Sequence, residues 1–567
     1  MQLRWFFKKN DYRSFYLLNA TQFLGALNDN IFKLLVIYLL INVKGAAAAP
    51  TILSLAGAIF VIPFLLFSSG AGVLADKISK RTIIVIAKLL ELIILISSVF
   101  AISFQSESGS YICLFCMAAQ SALFGPSKYG IIPELVEEKM VSKANGSLTS
   151  LTYLAIILGT FLASLLTDIT HKNFLFVSFF CVFIAVIGLL TSLGIRRTEP
   201  QRSTKKINPF FFYEIYQTLK ASWDVPHLLT AIFSSAFFLF IGAFTQLNII
   251  PFAMQSLHLS EVGGGYLFLA TAVGIAIGAV IAGQLSKDRV EPGISCVAGF
   301  FIALFFFTLS LFSFSLIVTI INLTLLGIVG GGFLIPFDSF IQVNSPDAKR
   351  GQVIAASNFF SFIGVLLAAF FLYLISEELG FSASNGFIFM GILSFIASTI
   401  IAGRLSSFLF PFFAQKILKR FRKLNVISPL PKPSELIILE SNSWWDAILL
   451  FSCLPNLKLF LPDRYFHHFP WINGWIDSIR LVPTCPESME QVFQEAKKFQ
   501  EQNQFVCIFF HKKPDNQSII ESYQKVFGRF HNKLVFIKET KERILKRFIF
   551  RFYQKQITMT FSKNPPE

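Results

Sequence analysis

Twelve apolar runs set the limits on how this chain can fold. They lie near 15–42, 52–72, 82–104, 111–133, 148–168, 173–195, 228–255, 263–286, 293–313, 315–343, 352–375 and 386–410. Each is roughly the 20 residues that an α-helix needs to cross the hydrocarbon core of a bilayer. Lipid offers the backbone no hydrogen-bond partners, so such runs fold as helices that bond within themselves. The composition agrees: 54% of the 567 residues are hydrophobic and 14% are charged, against about 25% charged in an ordinary soluble domain. An all-α membrane protein is predicted, with six runs on either side of a polar stretch at 196–227.

Two of the runs contain residues that are costly in lipid. Phe124-Gly-Pro-Ser-Lys-Tyr-Gly-Ile-Ile-Pro-Glu-Leu-Val136, followed by Lys143-Ala-Asn-Gly146, sets two prolines and Lys128 at the end of the fourth run. A looser echo, Leu334-Ile-Pro-Phe-Asp-Ser-Phe-Ile-Gln342 with Ala355-Ala-Ser-Asn358, has Pro336 in the place of Pro126 and Asp338 in that of Lys128. Such breaks survive where neighbouring helices or a watery cavity satisfy the freed groups. Both segments are therefore candidate sites, and their repetition points to a duplicated transporter architecture.

Lysine and arginine accumulate in cytoplasmic loops. The N-terminal Arg4, Lys8, Lys9 and Arg13, the loops at 77–81, 139–143, 196–206, 287–289 and 349–350, and the stretch 416–423 all fall on one side. The other side holds only Lys44 and Lys172. Both termini are thus expected in the cytoplasm, and the net charge of +16 reflects basic loops rather than nucleic-acid binding. The first run is too long for a cleaved signal and carries Asp29 and Lys33. Cys113 and Cys116 have CxxC spacing inside an apolar helix, where packing is the expected role. No disulfide, metal or cofactor is expected.

The loop after the second run, Gly72-Val-Leu-Ala-Asp-Lys-Ile-Ser-Lys-Arg81, resembles the G-x-L-a-D-r-x-G-r-K/R loop of the major facilitator superfamily. Asp76 can pair with a cation and face a helix N-terminus, while Lys80 and Arg81 hold the loop at the surface; with Gly72 they form a candidate conformational latch. The matching loop of the second half, Gly283-Gln-Leu-Ser-Lys-Asp-Arg289, is degraded, so the latch is expected on one side only. Within the superfamily, Gln22-Phe-Leu-Gly-Ala-Leu-Asn-Asp-Asn30, 124–146 and 336–358 resemble the bacterial lysophospholipid transporters over residues 10–410. The resemblance implies a twelve-helix fold of two six-helix halves, 1–195 and 228–412, in the cytoplasmic membrane. It also implies a lysophospholipid substrate, such as lysophosphatidylethanolamine, moved to the inner leaflet for re-acylation. Membrane lipids and a separate acyltransferase or acyl-carrier-protein ligase are the implied partners.

The charges inside the runs can be read without that family. Asp29 and Lys33 are four apart and share a helix face, and Lys88 and Glu91 are three apart. Either these pairs neutralise themselves and tie helices together, or they face a cavity with Lys128 and Asp338. Asn30 and Gln246 are the amides placed with them as substrate-binding candidates. An apolar wall is expected from the second half, as in Phe300-Phe-Ile-Ala-Leu-Phe-Phe-Phe307. Polar on one wall and apolar on the other, such a cavity suits an amphipathic solute.

Asn208-Pro-Phe-Phe-Phe-Tyr-Glu-Ile-Tyr-Gln-Thr-Leu-Lys220, in the linker 196–227, predicts an interfacial helix. Residues 424–567 have no spanning run and read as a smaller cytoplasmic α/β domain. There Glu435-Leu-Ile-Ile-Leu-Glu440 and Ser441-Asn-Ser-Trp-Trp-Asp-Ala-Ile-Leu-Leu450 resemble the strand and N-H-x-S-W-x-D-A-x-L-L motif of glycerolipid acyltransferases. Ser441 stands where that family has its general-base histidine, Asp446 keeps the aspartate, and the F-P-E-G turn is missing. A non-catalytic, acyltransferase-like appendage is expected. Two other functions remain open at this level: a bifunctional membrane-bound acyltransferase, and a facilitator exporting drugs or small metabolites.

Overall fold

The computed structural model describes residues 11–45, 49–200, 211–259, 261–286 and 290–413, and after these the strands and helix named below with a few residues beside them. The chain divides into two compact units, one of Met1–Val290 with Ala298–Ile396, the other of Glu291–Val297 with Ala397–Glu567.

In chain order the first half holds α1 (Asp11–Lys44), α2 (Ala49–Lys77), α3 (Lys80–Ser103), α4 (Glu107–Gly130), the short α5 (Ile132–Leu135), α6 (Val141–Ile169) and α7 (Phe174–Leu193). A linking helix, α8 (Phe211–Ser222), precedes α9 (Leu228–Leu257), α10 (Glu261–Leu285), α11 (Pro292–Leu311), α12 (Leu316–Asn344), α13 (Arg350–Tyr373), α14 (Ala383–Arg404) and the short α15 (Ser406–Phe412). Among the described residues, twelve helices are long and apolar enough to cross a membrane. They are α1–α4, α6, α7 and α9–α14, six on either side of α8. Side-chain caps set several starts: Ser106 accepts from Gly109 N on α4, and Asn173 from Phe176 N on α7, each satisfying an amide the helix cannot.

The expected breaks are displaced. Helix α4 runs through Pro126 to Gly130 and α12 runs through Pro336 to Asn344. A proline inside a helix removes one backbone donor and crowds the preceding turn, which membrane helices tolerate where neighbouring helices and side chains satisfy the freed group; at Pro126 the helix has only one further turn to make. The chain turns instead at Ile131, after which Pro133 sits in the first turn of α5, where its missing N–H is no loss. Cys113, Cys116, Cys181, Cys296 and Cys507 are free thiols, and Cys113 packs in an apolar cluster with Leu114 and Met117.

The second unit is built on a sheet. Its strands are β1 (Lys423–Val426), β2 (Leu436–Glu440), β3 (Leu457–Pro462), β4 (Ile479–Val482), β5 (Phe505–Phe510), β6 (Leu534–Thr540) and β7 (Gln556–Ser562). They run in the order β1-β7-β6-β2-β5-β3-β4, with only the β6–β7 pair antiparallel. Helix α16 (Met489–Glu501) precedes β5 and buries Val492, Phe493 and Ala496. Parallel strands joined in sequence need crossovers, and α16 is the described part of the one from β4 to β5, which passes β3. The strand expected at 435–440 is β2; Ser441 and Asp446 lie outside the described residues.

Candidate functional site

A cavity of about 430 Å³ lies at the junction of the two six-helix halves. Helical spacing brings its lining together. On α1, Gln22, Ala26, Asp29, Asn30 and Lys33 recur every three or four residues; on α4, Ser121, Phe124, Lys128 and Tyr129 do the same. Repeats at this interval share one face of an α-helix. Thr149, Thr152 and Tyr153 come from α6, Ser235 and Leu239 from α9, Asp338 and Gln342 from α12, and Ser357, Asn358 and Phe362 from α13.

Asp29 and Lys33 do not pair with each other. Asp29 Oδ2 accepts from Ser121 Oγ at 2.9 Å, and its Oδ1 has no hydrogen-bond partner among the described residues. Lys33 Nζ lies 5.2 Å from the centre of the Phe60 ring. Lys128 stands over Tyr129 and Phe124, at 4.9 and 5.7 Å, within electrostatic reach of Asp29 and Asp338. Asp338 Oδ1 accepts from Ser235 Oγ at 3.1 Å. Asn30 turns back on its own helix, donating to Ala26 O at 2.8 Å.

Lys88 and Glu91 are the pair that forms, at 2.6 Å, and Asn28 Nδ2 donates to the other Glu91 oxygen at 3.0 Å. Glu91 neutralises Lys88, so the lining is left with two cations, Lys33 and Lys128, and two anions, Asp29 and Asp338. Gln246 lies outside the cavity. Seven residues from Leu239, it returns to nearly the same helix face, but two turns, about 10 Å, further along α9, and there it is exposed. The apolar lining comes from both halves: Leu239, Leu334, Ile341, Ile354 and Phe362 of the second are joined by Phe60 and Phe64 of α2, with Phe64 and Phe362 stacked at 4.3 Å, and α11 contributes none of it. The α11 phenylalanines pack on α14 instead, Phe300 on Phe395 and Phe306 on Phe387.

At the end of the bundle that carries the basic loops, the halves close on each other. Asp76 Oδ1 accepts from Gly351 N at 2.6 Å and Oδ2 from Gln352 N and Nε2 at 3.0 and 3.1 Å. Gly351 and Gln352 open α13, so a carboxylate meets the unsatisfied amides and positive pole of a helix start. Gly72 permits the approach: a Cβ there would lie 2.7 Å from Gly351 O and 2.5 Å from Ala355 Cβ. Lys80 and Arg81 act within the first half. Lys80, expected at the surface, is 1% exposed; its stem crosses Gly130 and its ammonium meets Glu134 at 2.5 Å. Arg81 donates to Leu193 O and Ile195 O at the end of α7.

The closure has a counterpart that the sequence did not suggest. Gly283 of α10 faces the backbone of Ser142 and Lys143 at the start of α6, with a built Cβ 2.9 Å away, and Gly146 faces Ala279 O. Beside it, Asn145 and Gln342 exchange two amide hydrogen bonds of 3.0 Å, and Asn145 also donates to Ser339 Oγ. Ser121 and Tyr153 line the cavity without having been singled out, while Tyr129 and Asn358 do so from the two segments already marked as candidates. Each lies three or four residues from a lining residue on its own helix, which is the signal that could have found them.

Two six-helix halves around one polar cavity, closed at one end by interlocked helix ends, define a transporter fold. Residues 18–369 match the Major Facilitator Superfamily, and the chain belongs to that family. It is similar to the lysophospholipid transporter LplT of Klebsiella pneumoniae subsp. pneumoniae, at 24% identity over 61% of this chain and 85% of that protein. To LplT of Enterobacter sp. it is 25% identical over 60% and 83%. Among solved structures, it resembles the human organic anion transporter MFSD10 with a TM-score of 0.58 and 13% identity, covering 70% of this chain and all of that one. The fucose:proton symporter FucP of E. coli follows at 0.57 and 16%, covering 68% and 97%. At these identities the structural likeness concerns the fold alone.

Proposed function

We propose that this chain moves lysophospholipids across the bacterial cytoplasmic membrane to the inner leaflet by alternating access. The observation that carries the proposal is the cavity, which joins two cations and two anions to an aromatic wall. A lysophospholipid has a phosphate for Lys33 or Lys128 and an acyl chain for Phe60, Phe64 and Phe362. A head-group ammonium would satisfy the open Asp29 Oδ1. The LplT relatives support the same substrate. With the basic loops in the cytoplasm, both termini are cytoplasmic and the closed end faces inward.

The second unit we read as a non-catalytic appendage of the glycerolipid-acyltransferase kind, because Ser441 cannot serve as general base at neutral pH. Leaflet-resolved uptake of labelled lysophosphatidylethanolamine by vesicles containing the full chain tests the transport reading. Label should reach the inner leaflet faster than in protein-free vesicles; equal rates would refute it, and would leave efflux of small solutes as the next assay. Diacyl product formed from acyl donors at a rate that Asp446→Ala abolishes would make the chain a bifunctional enzyme.

A further inference from the structure

Helix α8 is set against both halves. Its buried stripe is Glu214, Ile215, Thr218 and Ser222, recurring at helical intervals; its opposite face exposes Tyr213 and Tyr216, each more than half open, and Phe212 sits at the edge of that face with its ring 5.9 Å from that of Phe359 on α13. On the inner side, Ser69 of α2 donates to Glu214 Oε2 at 2.8 Å, while Ile215 packs with Ala356 and Phe359 of α13. Helix α2 belongs to the first half and α13 to the second, and the same two helices meet through Asp76 and Gly351. Only residues 223–227 connect α8 to α9, so α8 is tethered to the second half. Its contacts with α2, through Ser69 and Leu65, are therefore the ones that must part when the halves separate at this end.

The outer face indicates what lies against it. Phe212, Tyr213, Tyr216 and Trp223 are exposed beside the ends of apolar spans, with Lys220 exposed among them. Aromatic rings interleaved with cations are the composition that sits at the head-group level of a bilayer. We propose that α8 is an amphipathic strap: its aromatic face lies in the lipid interface, and its inner face holds α2 to α13, stabilising the state closed at the basic-loop end. The proposal rests on the alternating-access part of the proposed function and not on the substrate.

The test reads the conformation directly and needs no lipid cargo. Spin labels at Glu138→Cys and Ala348→Cys, exposed sites on the first and second halves at this end, report their separation in the full chain held in anionic lipid nanodiscs, with the native cysteines replaced by alanine. Ser69→Ala removes one hydrogen bond, which should raise the ratio of long- to short-distance populations about two- to tenfold. Tyr213→Ser with Tyr216→Ser, which leaves the Phe212–Phe359 ring contact in place, should raise it likewise, by freeing the outer face from the interface. A distance distribution unmoved by either variant overturns the strap. A shift with Ser69→Ala and none with the aromatic pair overturns the lipid-seated form of the proposal. Failure of lysophospholipid uptake leaves the distances readable, so the two readings fail separately.

Discussion

Asp76 bonds the amide of Gly351 at 2.6 Å across 275 residues of sequence, capping a helix of the other half. Asp76→Asn keeps the shape and removes the charge. A carboxylate at a partly buried helix start contributes about 1–2 kcal/mol, so the variant should populate the state open at the basic-loop end roughly 5- to 30-fold more. Thiol labelling of a cysteine at Ser357, inside the cavity, from the basic-loop side measures this; an unchanged rate would remove Asp76 from the latch.

Gly351→Ala should have the same sign and a larger effect. The added Cβ would lie 2.6 Å from Gly72 O and 2.7 Å from Asp76 Oδ1, and a backbone oxygen has little room to yield. The same labelling rate should rise above that of Asp76→Asn, and a rate equal to the unmodified chain would contradict the close packing.

The amide pair predicts coupling. Asn145→Ala leaves Gln342 buried without its partner, at a cost of about 1–3 kcal/mol, and Gln342→Ala does the reverse. The double variant should be less impaired in thermal stability than the two single losses added together. Strict additivity would mean that the bonds contribute nothing.

Lys88 and Lys128 both line the cavity but should fail in different ways. Lys88→Ala strands Glu91, which is 1% exposed, and breaking one side of a buried pair costs about 3–5 kcal/mol; folded protein in the membrane should fall. Lys128→Ala removes a cation that has no carboxylate partner within 4 Å among the described residues, so folded protein should persist. Membrane yields and melting temperatures check the contrast, and equal yields would contradict it.

The spans were legible because twenty apolar residues leave the chain little choice. So was much of the charged lining: Asp29, Lys128 and Asp338 stand out where lipid tolerates no charge. Partnership was not legible. Lys33 and Asp29 are four apart and still turn to Phe60 and Ser121, because helix packing decides which way each points. Asn145 and Gln342 lay in segments already marked by their prolines, yet 197 residues separate them and no local pattern joins them. Lys80 looked like a surface charge because Glu134, its partner, comes from a different turn of the chain. Gln246 sits on the correct face of α9 at the wrong depth, a coordinate that helical periodicity does not carry.

The central claim is that the cavity charges carry the substrate, and transport kinetics at matched protein levels test it most directly. Vesicles containing the full chain, Asp29→Asn or Lys128→Ala would be compared for the initial rate at which labelled lysophosphatidylethanolamine passes from the outer to the inner leaflet. The unmodified chain should exceed empty vesicles, and each variant should lose about ten- to a hundredfold, the worth of one charge-assisted contact. Undiminished transfer by both variants, or none by the unmodified chain, would contradict the account.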